Sequence, residues 1–110
     1  MDIKIAYVDD VTIIELDGML TIGSEHTVDQ SLREQVANGR KKVILDMTRV
    51  KYVDSLGIGQ IAGGYTYLQD IGGSLVLART NDKIKELLRL TGLQNHIKTY
   101  ETVEAALQDL

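Results

Sequence analysis

The sequence predicts an α/β domain with a mixed central β-sheet, opened by a β-hairpin and packed by about four α-helices. Three observations carry that expectation. Val43-Ile44-Leu45 and Leu75 to Ala78 are continuous apolar runs, as in strands covered on both faces. The segments between and after them repeat apolar residues every three or four positions, the mark of one helix face. Gly and Asn stand where those periodic segments stop. Strands that alternate with helices pair in parallel, because each helix returns the chain to the same starting edge.

Taken in order, Ile3 to Val8 and Val11 to Asp17 read as strands, joined by Asp9-Asp10, a two-residue connection suited to a tight hairpin. Gly18 is expected to end the second strand, with Met19 to Gly23 as a loop. Ser24 offers an N-cap for a helix presenting Val28, Leu32 and Val36, which Asn38-Gly39 stops. A buried strand, Val43 to Met47, hands the chain to a helix running from Ser55 to about Ile71, and Gly72-Gly73 is a strong stop. After Leu75 to Ala78, Asn81 or Asp82 caps a helix bearing Ile84, Leu87 and Leu88, ended at Gly92. Ile97 to Tyr100 is a weaker strand, and Thr102 caps a last helix with Val103, Ala106, Leu107 and Leu110 on one side. The whole of residues 1–110 is expected to form a single domain, with Ile44, Leu45, Ile58, Ile61, Leu75, Leu77, Leu87 and Leu107 in its core.

Composition narrows the function. The formal charge is −4, and the only basic cluster is Arg40-Lys41-Lys42, which argues against nucleic acid as a partner. The absence of cysteine excludes disulfides and thiol catalysis, and two lone histidines, His26 and His96, make no metal-binding set. Both read as surface residues, with neither metal nor cofactor expected. Met1-Asp2-Ile3-Lys4-Ile5 alternates polar and apolar residues and lacks a signal peptide's apolar centre. No run reaches transmembrane length, so no membrane insertion is expected and a soluble cytoplasmic protein is the default.

Packing does not explain Asp54-Ser55-Leu56-Gly57-Ile58-Gly59. The helix it opens carries Gly57, Gly59, Gly63 and Gly64, each costing roughly 1 kcal/mol relative to Ala. Its apolar stripe is Ile58, Ile61, Ala62, Tyr65 and Leu68, while Leu56, Gly59, Gln60, Gly63 and Tyr67 lie opposite. Asp70 is the only charged residue from Ser55 to Ile71. A solvated face would carry Lys and Glu, whereas small uncharged residues let another backbone approach, so the helix reads as core on one side and docking patch on the other. Tyr67 fits equally a partly exposed aromatic covering its own helix.

Ser55 itself fits the N-cap of that helix, and so does Asp54. A hydrolase nucleophile elbow needs glycine two residues before the serine, where Val53 stands, and His26 and His96 are poorly placed as its base. Gly57-Ile58-Gly59 lies inside the helix without a third glycine, which removes the dinucleotide-binding reading.

Four marks, in order, make the chain resemble the STAS family, the domain shared by bacterial anti-sigma-factor antagonists and the tails of sulfate transporters. They are Gly18, the Asp54-Ser55-Leu56-Gly57-Ile58-Gly59 turn, Gly72-Gly73 and Thr91-Gly92-Leu93. The resemblance covers nearly the whole chain and implies a STAS-like fold. It also implies that Ser55 is a phosphoacceptor, modified by an anti-sigma factor that is a serine kinase and restored by a serine phosphatase. Asp54 would then be either the helix cap or an acidic neighbour in phosphoryl transfer. Two positions depart from the family pattern: Leu56 where antagonists often have Ser or Thr, and Thr21 where they often have an acidic residue. Both bear on partner fit. The expected partner surface is therefore Asp54, Leu56, Gly57, Gly59, Gln60, Gly63, Tyr67 and Thr21. The leading expectation is a non-enzymatic switch that binds its partner when Ser55 is free. A STAS scaffold or transport accessory not governed by phosphorylation comes second, and a small-molecule enzyme third.

Overall fold

In the computed structural model, which describes residues 1–21 and 25–110, the expected order of elements is present. The chain runs β1 (Asp2–Val8), β2 (Val11–Leu20), α1 (Glu25–Ala37), β3 (Lys42–Val53), α2 (Ser55–Asp70), β4 (Ser74–Ala78), α3 (Asp82–Leu90), β5 (Thr99–Tyr100) and α4 (Val103–Asp109). The expected Ser24 cap and the side chain of His26 lie outside the described residues. The strands stand side by side in chain order, β1 antiparallel to β2 and every later pair parallel, so the sheet is mixed with a parallel centre.

Alternation explains the continuous apolar runs. Val43, Leu45, Met47, Leu75 and Leu77 point to one face of the sheet, where they pack with Val28 and Leu32 of α1, Ile58, Ile61 and Leu68 of α2, and Ile84 and Leu88 of α3. Ile44, Val76 and Ala78 point to the other, against Ala106 of α4. Six of the expected core residues are buried, namely Ile44, Leu45, Ile58, Ile61, Leu75 and Leu77. Leu87 and Leu107 are only partly buried, because Ile84 and Leu88 on α3 and Ala106 on α4 take the inward positions.

Three expectations are corrected. Gly18 does not end β2, which continues to Leu20, so Met19 lies in a strand and not a loop. The register against β3 shifts between Glu15 and Asp17 and again between Gly18 and Met19, and Gly18 takes φ +122, a conformation favouring glycine. The strand expected to stop at Met47 runs to Val53, since its polar second half finds a partner in the far half of β2. The expected strand from Ile97 is reduced to Thr99–Tyr100, preceded by a short 3-10 turn at Leu93–Asn95, and Ile97 is buried without belonging to β5.

The basic cluster serves the hairpin. Arg40 donates from Nε to Thr12 Oγ1 at 2.8 Å and from Nη2 to the carbonyls of Asp9 and Val11, and its guanidinium lies 4.5 Å from the centre of the Tyr7 ring. Lys42 pairs with Asp10 at 3.1 Å. The third member, Lys41, donates from Nζ to the Ile71 carbonyl at 3.4 Å.

Candidate phosphorylation and docking site

The end of β2 fixes where α2 begins. The Asp54 N–H donates to the Leu20 carbonyl at 3.3 Å, and a Cβ on Gly57 would collide with that same carbonyl oxygen. Only glycine lets the first turn of α2 sit this close to β2. Gly57 is buried, so its expected place on the partner surface is corrected: its contact is internal.

Asp54 settles the capping. Its carboxylate accepts the Gly57 N–H at 2.8 Å with extended backbone, which makes it the N-cap and Ser55 the first helical residue. The N-cap reading of Ser55 is therefore corrected. Its side chain is exposed, free of the duty of closing the helix. Asn81 and Thr102 do the same work as Asp54 for α3 and α4, accepting from Ile84 and Ala105 at 2.9 and 3.0 Å.

The outer face of α2 is largely as expected. Leu56 is exposed, and around Gly59 and Gly63 a Cβ would meet nothing within 4 Å. Gln60 is half-buried and donates from Nε2 to the Thr21 carbonyl at 2.9 Å, joining two of the expected contact residues. Gly64 belongs inside, where a Cβ would come within 2.6 Å of Leu32 Cδ1, and this close approach brings α1 alongside. Tyr67 is half-buried under the Arg33 guanidinium, 4.5 Å from its ring centre, and Arg33 in turn pairs with Asp29 at 2.9 Å. The charge that α2 lacks is thus supplied next to it by α1. Asp29, Leu32, Arg33, Gln60, Gly63, Gly64 and Tyr67 line a groove of 240 Å³ between the two helices.

Sequence reasoning missed two contributors. Met19 and Tyr52 are partners in the β2–β3 pairing and are both exposed, at 58% and 51%, as is Leu56 at 54%, and Tyr52 lines a cavity together with Ser55. Together they make an apolar rim at the end of the sheet where α2 starts. The second contributor is α3. Tyr52, Val53, Asp54, Ser55, Lys83, Glu86 and Leu87 line a cavity of 540 Å³ beside the Ser55 hydroxyl. Across it, Arg89 donates from Nε to Glu86 at 3.1 Å and makes a second bond from Nη2, and this pairing holds the Glu86 carboxyl below its ordinary range.

Among the described residues no group of three or more His, Cys, Asp or Glu could hold a metal ion, and His96 is exposed. No described helix is long and apolar enough to cross a membrane. A further cavity of 310 Å³, lined in part by Tyr65, Ser74, His96, Lys98 and Tyr100, lies at the opposite end of β4 and shares no residue with the Ser55 site.

A family model for the STAS domain matches residues 2–106. A Thermotoga maritima protein provisionally named an anti-sigma factor antagonist is 29% identical over 104 residues, covering 94% of this chain and 92% of its own. The anti-sigma F factor antagonist of Paenibacillus polymyxa is 26% identical over 101 residues, covering 91% and 86%. A crystal structure of a Thermotoga maritima protein under the same provisional description superposes with a TM-score of 0.90 at 28% identity, covering 97% of this chain and 92% of that one.

Proposed function

The chain belongs to the STAS domain family, and we propose that residues 1–110 act as one domain serving as an anti-sigma-factor antagonist in the cytoplasm. It binds its partner, an anti-sigma factor with serine-kinase activity, while Ser55 is unmodified, and releases it once Ser55 is phosphorylated. It is a binding protein and not a catalyst. The kinase moves the γ-phosphoryl group of ATP to Ser55 Oγ with loss of the hydroxyl proton and departure of ADP. A serine phosphatase reverses the modification by hydrolysis, releasing inorganic phosphate.

The observation that carries this reading is the division of labour at the start of α2. Asp54 caps the helix and leaves the Ser55 side chain exposed, beside the apolar rim of Met19, Tyr52 and Leu56. Leu56, Gly59, Gln60, Gly63 and Thr21 extend the docking surface along α2, with Tyr67 at its edge under Arg33. A phosphate brings a charge of about −1.5 to −2 at pH 7, which the free chain exposes to water. Pressed into an apolar interface, such an anion loses its water, which costs several kcal/mol even where a cation stands near. About 3 kcal/mol of that cost weakens binding by more than a hundredfold.

The test combines modification with capture. Incubation with lysate and ATP should add one phosphate mapping to Ser55 by intact mass and peptide analysis. Wild type and Ser55→Ala should capture the same partner, and titration calorimetry should show the phosphoprotein binding it at least a hundredfold more weakly. Equal affinity of the two forms would overturn the switch and leave a scaffold or transport-associated domain that phosphorylation does not govern.

A further inference from the structure

We infer that Lys83 is the intramolecular counter-ion of a phosphate on Ser55, drawn across the cavity between α2 and α3 when the serine is modified. The inference rests on the phosphorylation reading and names what the folded chain does with the new charge.

Three charged side chains line that cavity: Asp54, Glu86 and Lys83. Two are already committed. The Asp54 carboxylate accepts the Gly57 N–H at 2.8 Å, and Arg89 holds the Glu86 carboxylate through both Nε and Nη2. Arg89 thus neutralises the one α3 carboxylate that lines the cavity; the other, Asp82, is exposed in the first turn of α3 outside that lining. Lys83 is the exception. It is exposed, forms no ion pair with any described residue, and stands three positions before Glu86 on the same helix face. Arg33, Lys42, Arg49 and Lys85 pair with Asp29, Asp10, Glu15 and Glu101, and of the basic side chains that form no such pair, which include Lys4, Lys51, Arg79 and Lys98, Lys83 is the one that lines the cavity. Tyr52 and Leu87 supply apolar walls, which reduce the water around any charge pair formed between them.

The chemistry suits a lysine. Its ammonium is a compact charge on a flexible stem, able to swing to an anion that appears only part of the time. At 540 Å³ the cavity has room for a phosphate and accompanying water. Pairing there would also occupy the space between the apolar rim and α3, so that phosphorylation alters the shape of the docking surface as well as its charge.

The experiment installs phosphoserine at position 55 during synthesis of the full chain, so that it does not depend on any kinase. The ³¹P resonance of that group is then followed across pH. A neighbouring cation favours the dianion, so the second phosphate pKa, about 6 when unperturbed, should lie lower in the wild-type background. Lys83→Gln should raise it by about half a unit or more, and Lys83→Arg should restore it. Added salt should narrow the difference, since the pair is partly exposed. Denaturation midpoints of the unmodified Lys83 variants serve as the control for folding. Superimposable titrations of wild type and Lys83→Gln would overturn the inference while leaving the switch intact. Conversely, absence of Ser55 phosphorylation in lysate would overturn the switch and leave the measured coupling standing.

Discussion

Gly57 and Gly64 differ from Gly59 and Gly63 in what surrounds them, although all four sit within two turns of α2. A Cβ on Gly57 would strike the Leu20 carbonyl and one on Gly64 would press on Leu32, whereas Gly59 and Gly63 have open space. The first pair lets β2 and α1 come close to the helix and so serves the fold. The second pair weakens the helix without relieving any contact in the free chain. Residues that cost stability and return none within the monomer are what an outer partner surface needs, because a flat, Cβ-free strip admits a second backbone. Glycine content alone does not separate the two uses; direction around the helix does.

The sharpest way to break this comparison is Gly57→Ala. The clash is with backbone, which cannot rotate away, so a loss of about 3 kcal/mol or more is expected in chemical denaturation despite the gain in helix propensity. Gly64→Ala, facing the mobile end of Leu32, should cost clearly less. A Gly57 variant as stable as wild type would remove the structural half of the contrast. Next in size is Gly59→Glu or Gly63→Arg, each adding bulk and charge to the outer strip. Partner affinity should fall about a hundredfold, equivalent to about 2.7 kcal/mol, while stability stays within about 1 kcal/mol of wild type. Unchanged affinity in calorimetry would reassign that face to solvent.

Asp54→Ala removes the cap and should cost about 1 kcal/mol in thermal or denaturant unfolding, near the middle of the range for such losses. Ser55→Ala should be milder, because the hydroxyl does not cap; a larger loss at Ser55 than at Asp54 would contradict the geometry. The smallest effect belongs to Gly63→Ala, which should stabilise the free protein by roughly 0.5–1 kcal/mol while filling part of the strip. A destabilised Gly63→Ala protein would mean that the strip is packed after all.

Much of this site was legible in advance. Asp54, Ser55 and the glycines announce themselves because a helix that repeatedly uses its poorest formers must have another reason for them. The stripe of Ile58, Ile61 and Leu68 is buried as the spacing requires. What failed was assignment by angle alone. Gly57 falls between the two faces on a helical projection, and only the position of Leu20 draws it inward. Met19 and Tyr52 are not legible in the sequence because the apolar spacing ends the strands that hold them at Asp17 and Met47. Their far halves read as polar and irregular, and they are strands because each supplies the other's hydrogen bonds.

The sequence by itself determined which elements form, their order, the parallel centre of the sheet and the singular character of the Ser55 turn. Those features follow from apolar spacing, caps and glycine cost within windows of about a dozen residues, where local physics suffices. The tertiary structure alone decided that Asp54 rather than Ser55 closes the helix, that Arg33 covers Tyr67, and that α3 sets Lys83 beside the serine. Each depends on what a segment 25 or more residues away, or one freely rotating side chain, places against a given atom. Close packing settles such choices, and local sequence does not contain them.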